Sequence, residues 1–177
     1  IQAGASVTVN ALRSLGIYGN VSNNGSPVWG PGELKFSGST MQLLNAAASQ
    51  QAGRIWMNNS TTGSALRLMT DIKVDQQVTF TDGVLDLNGR TLTLGTAISN
   101  GTFTGQSSVS YINSNGGFTK VFTNTNTTYI WPVGDTTYYT PYSLQLTSGG
   151  QSGATIQVKV IPGMQPNLPA SIAYLNR

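Results

Sequence analysis

The chain has 177 residues, of which only 8% are charged, against about a quarter in an ordinary soluble domain. Nine basic and six acidic residues leave a net charge of +3, and no two bases adjoin, so there is no stripe to follow a phosphate backbone and no nucleic-acid partner is expected. With neither cysteine nor histidine, the sequence excludes disulfides, thiolate or imidazole metal sites, and Cys-His or Ser-His catalysis.

The hydrophobic residues, 38% of the chain, are patterned, which argues against disorder. From residue 1 to about 112 they alternate in short stretches broken by Gly, Asn and Pro: "SVTVN" from Ser6, "GIYGNV" from Gly16 and "ELKFSG" from Glu33. "MQLLNAAASQQAG", Met41 to Gly53, reads equally as a turn or two of helix or as a strand over Met41 to Leu44 followed by a loop. Strand text resumes with "RIWMNN" from Arg54, "ALRLMT" from Ala65, "IKVD" from Ile72, "VTFTD" from Val78, "VLDLNG" from Val84 and "TLTLG" from Thr91.

These strands recur at a nearly fixed interval. Leu34 to Ile55, Phe36 to Met57 and Leu66 to Leu87 are each 21 residues apart, and Ile72 to Leu92 is 20. One coil of a parallel β-solenoid has that length, and each coil needs its neighbours to bury its inner face. Asp82-Gly83 and Asn88-Gly89 are also favoured hairpin dipeptides, so an antiparallel meander is the competing reading.

After residue 112 the strands lengthen and become aromatic: "GFTKVFTN", "TYIWPVG", "YSLQLTS" and "ATIQVKVIPG". Their spacing of about a dozen residues reads as an antiparallel β-sandwich. The expected organisation is therefore all-β, with a solenoid-like domain over 1–112 and a sandwich-like domain over 113–177. Pro132, Pro141 and Pro162 fall at strand ends, where a missing N–H does least harm. The second part is short for a sandwich, with four strands and a fifth at 171–175. An incomplete sandwich exposes an edge that a donated strand would fill, which predicts self-association into a filament.

Chemistry is sparse in this text. Four of the six acids, Asp71, Asp75, Asp82 and Asp86, lie close together. Asp82 and Asp86 would share a face if they stood on one extended strand, as a glycosidase pair must. The plainer reading puts Asp82 in a turn and Asp86, between Leu85 and Leu87, facing solvent. A Ca²⁺ ion would draw its oxygen ligands from these four, although no EF-hand spacing accompanies them. Trp29, Trp56, Tyr138, Tyr139 and Tyr142 are the candidate glycan-stacking residues, since an exposed ring matches the apolar face of a pyranose; the competing reading packs them in the protein. No catalytic residue, cofactor or membrane span is expected, because no apolar run nears the ~20 residues of a span. A chain starting with Ile, without a visible signal peptide, is expected to be a mature product or an excerpt.

"GVLDLNGRTLTLG", residues 83–95, and "YIWPVGDTTYYTPYSLQLTSG", residues 129–149, occur in that order. The pair resembles large bacterial surface proteins exported by type IX secretion, in which solenoid text precedes a "PVG…YTP" β module. The resemblance implies an extracellular adhesin or structural segment and carries no catalytic residues.

Overall fold

Alternation at period 2 gives each strand one apolar edge row, and the protein stacks those rows into a parallel β-solenoid of about five turns, described here from a computed structural model for residues 1–123, 128–146 and 152–162. The coils run β1 (Ser14–Ile17) and β2 (Val21–Asn23); β3 (Glu33–Gly38) and β4 (Gln42–Ala46); β5 (Gln50–Asn59) and β6 (Ser64–Leu68); β7 (Ile72–Asp82) and β8 (Val84–Asp86); β9 (Thr91–Leu94), β10 (Thr102–Thr104) and β11 (Ile112–Asn113). The chain continues with β12 (Gly117–Val121), β13 (Thr128–Trp131), β14 (Val133–Gly134), β15 (Tyr142–Gln145) and β16 (Thr155–Val158). One sheet has the order β1-β3-β5-β7-β9-β12-β16, with β10 also on β7. The facing sheet runs β14-β11-β8-β6-β4-β2, and β13 and β15 form a separate antiparallel pair.

The solenoid reading holds against the meander. Leu34 pairs with Ile55, Phe36 with Met57 and Ile72 with Leu92, all in parallel. Leu66 pairs with Leu85 rather than Leu87, because the register slips between Ser64 and Leu66. Asn88 and Gly89 both have positive φ (49° and 76°), the geometry of a tight hairpin turn, yet the strands they join lie in opposite sheets. The turn is a solenoid corner. The Met41 to Gly53 stretch becomes β4 and the start of β5, with no helix among the described residues. "SVTVN" forms no regular strand, but its backbone still joins the next coil, Val9 N donating to Trp29 O at 2.7 Å.

The inner columns are fully buried: Leu34, Phe36, Ile55, Met57, Ile72, Val74, Leu92, Leu94 and Phe118. Corners are closed by buried amides. Asn59 Nδ2 donates to Thr40 O and to Gln42 Oε1, and Gln50 Oε1 accepts from Asn23 Nδ2 and Trp29 Nε1. Such groups are tolerated inside only because each is partnered.

Parallel pairing crosses the expected boundary at 112. β12 pairs in parallel with β9, and β14 with β11, so the solenoid ladder continues to Gly134. Among the described residues, antiparallel pairing between strands begins where β16 adds to β12 and β15 to β13. The fifth strand expected at 171–175 lies outside the described residues. Among the described residues no helix is long and apolar enough to cross a membrane.

Candidate functional site

The solenoid places the acids apart. Gly83, with φ +97°, turns the chain between β7 and β8, so Asp82 and Asp86 stand on strands of opposite sheets and do not share a face. Asp86 does not face solvent. It is 3% exposed, and its carboxylate accepts from Ser64 Oγ (3.0 Å), Arg67 Nε (2.9 Å), the Asn88 amide (3.0 Å), Asn113 Nδ2 (3.4 Å) and Asn115 Nδ2 (3.0 Å). These donors come from three successive coils. Asp71 Oδ1 accepts from the Thr91 amide, and Asp75 accepts from Gln51 Nε2 and lies 3.4 Å from Lys73 Nζ. Among the described residues no three acids converge into a cation-holding group.

The aromatic candidates divide. Trp29 is corrected from surface to core: it is 4% exposed, with its indole N–H bound to Gln50. Trp56 is half-buried; Lys35 Nζ sits 3.6 Å above its ring and its N–H donates to Thr81 Oγ1. Tyr139 packs on Tyr111 at 5.5 Å between centroids. Burial raises the Tyr139 phenol pKa; burial and then the Asp135 charge raise that of Tyr111, whose hydroxyl donates to Asp135 O. Of the five candidates, Tyr138 and Tyr142, 56% and 48% exposed, present open rings. Their loop is ordered by Asp135, whose Oδ1 accepts from the Thr137 and Tyr138 amides at 2.7 Å each.

A further feature was not announced by the sequence. A cavity of about 320 Å³ opens between β10, β12 and β13, walled by Phe103, Phe122 and Tyr129. Its floor includes Lys120. In register, Lys120 occupies the inward column of Ala52, Val74 and Leu94, with Ile156 opposite on the other side. A lysine thus stands where three coils place apolar residues, and it is 1% exposed. Its Nζ donates to Val121 O at 2.6 Å and lies 5.2 Å from the rings of both Phe122 and Tyr129. Burial pulls its pKa down to about 8. Burial also raises the Tyr129 pKa, so that phenol stays neutral. The only signal in the sequence was "FTKV" aligned under "LTLG", visible once the coils are in register.

The fold and these surfaces define a parallel β-solenoid closed at one end by an aromatic antiparallel pair. The chain matches no family model, curated protein or solved structure with which it was compared.

Proposed function

We propose that this chain is a non-catalytic structural and adhesive module of a secreted bacterial surface protein, acting outside the cell without a cofactor. The observation that carries the reading is the employment of its scarce charge. Asp86, one of six acids, is consumed in tying three coils together, and the buried amides close corners rather than converge on a ligand. A stack of hydrogen-bonded coils resists extension and presents its outer rows at fixed spacing.

Pulling the chain from its two ends in single-molecule force spectroscopy tests this. We expect stepwise unfolding with increments of one coil, roughly 7 nm for about 21 residues at ~3.4 Å each. Turnover of a polysaccharide substrate that disappears in Asp82→Asn or Asp86→Asn variants of intact fold would replace the reading with an enzymatic one.

The adhesive surface has two supports. Tyr138 and Tyr142 offer open rings at one end, which favours a second reading as a carbohydrate-binding module for surface glycans. The completed antiparallel part is sandwich-like in this proposal. Among the described residues β15 pairs only with β13, leaving an edge for a strand donated by a neighbouring copy. Light scattering at rising concentration is expected to show growing mass. A constant monomer mass would remove strand donation while leaving the glycan reading to be decided by array binding.

A further inference from the structure

We infer that the cavity between β10, β12 and β13 binds a small hydroxylated carboxylate, of the size of one sugar-acid unit. The inference goes beyond the structural reading and does not depend on it, since a solenoid scaffold needs no pocket here. It also concerns a different surface from Tyr138 and Tyr142, neither of which lines the cavity.

Lys120 is a buried cation, and among the described residues the ion pairs are Arg67 with Asp86 and Lys73 with Asp75, so no carboxylate faces it. Its ammonium has three N–H donors, of which one is given to Val121 O. Burying a charge without a counter-charge is costly, and a ligand carboxylate would supply one. Two further lining groups are unmatched: Gln106 Oε1 and the Tyr129 hydroxyl are buried without a hydrogen-bond partner among the described residues. Gln106 Oε1 can only accept, so the ligand must also carry a donor. Inorganic phosphate, which keeps a P–OH donor at pH 7, would satisfy both groups but has no apolar face to set against the walls of Phe103, Phe122 and Tyr129. A neutral sugar would satisfy the amide but leave the ammonium unpaired. A carboxylate flanked by hydroxyls meets both demands, and its C–H face suits the walls of Phe103, Phe122 and Tyr129. A volume of about 320 Å³ lies at the lower end for ligand pockets, which fits one unit rather than a chain.

The test is titration calorimetry of the intact chain with D-glucuronate, D-glucose and inorganic phosphate. At pH 7 glucuronate is expected to bind saturably and at least tenfold more tightly than the other two. Its affinity should fall at least tenfold between pH 7 and pH 10, as Lys120 loses its proton. The remaining groups facing Lys120 do not titrate in that window: Leu94 from β9, Ile156 from β16, Thr102, Phe103 and Gln106 from the β10 side, and the buried phenol of Tyr129 from β13. Lys120→Met, which restores the apolar column, should abolish the preference for glucuronate over glucose. Should that variant fail to fold, the alkaline loss in the native chain decides. No saturable binding, equal affinity for glucose, affinity unchanged to pH 10, or a folded Lys120→Met variant with native affinity would each overturn the inference.

Discussion

Replacing Asp86 with alanine is expected to lower stability by about 3 kcal/mol, the upper end for leaving a buried donor without its acceptor. The cause is the set of donors left behind. Asn113 is 1% exposed, and without Asp86 its amide loses an acceptor that water cannot replace. Ser64, Asn88 and Asn115 lose acceptors in the same step. Arg67 is treated differently: its side chain is partly exposed and can turn to solvent, so its share is discounted. For a chain of this size the loss corresponds to a fall in Tm of roughly 6–12 °C, readable by circular dichroism. Asp86→Asn keeps one acceptor oxygen but turns an NH₂ toward the remaining donors, so its fall should be about half as large. A change within a degree or two for Asp86→Ala would show that the coils are held by backbone ladders and apolar columns alone.

The same network shows why alternation alone misplaces this acid. Between Leu85 and Leu87, Asp86 has the spacing of an outward residue on an alternating strand. In the fold Leu85, Asp86 and Leu87 are all buried, because β8 is short and ends at the corner. Period 2 fails where a strand is too short to establish two faces. The repeat itself was legible, since paired apolar residues recur at the length of a coil, and three of the four intervals are true ladder partners. The fourth failed because the pairing of β6 with β8 slips within β6, between Ser64 and Leu66, which sets Leu66 beside Leu85.

The change in the text at 112 does not coincide with an end of the parallel ladder, for a related reason. From Leu92 to its partner Phe118 the chain spends 26 residues rather than 20 or 21. The excess goes into two small turns, each closed by a bridge, Thr96 with Ser99 and Ser107 with Ser110, with Ile98 and Val109 exposed. These excursions break the written period while leaving the ladder intact. Lys120 was illegible for the opposite reason: it obeys period 2, and a lysine in alternating text reads as solvent-facing until the coils are aligned.

Phe118→Ala measures whether that ladder makes one cooperative unit across residue 112. Phe118 is fully buried, pairs with Leu92 of the preceding coil and Val158 of the antiparallel strand, and meets Phe103 edge-on at 5.2 Å. Truncating a buried Phe to Ala costs about 3–5 kcal/mol, so Tm should fall by roughly 6–20 °C. The shape of the transition carries the information. Solenoid stability is approximately a sum over coils and their interfaces, so a lesion can be confined to one end when the interface it touches is weak. Here the lesion sits in a column shared by β9, β12 and β16, and β9 is itself laddered to β7. Far-ultraviolet ellipticity, which weights the long strands of β5 and β7, and the fluorescence of Trp131 in a Trp29→Phe/Trp56→Phe background, which reports the aromatic end alone, should therefore move together to the lower temperature. Two separated transitions, with only the aromatic one displaced, would mean that the coils before residue 112 fold without the strands from β12 onward. The parallel pairing of β9 with β12 would then join two units rather than continue one.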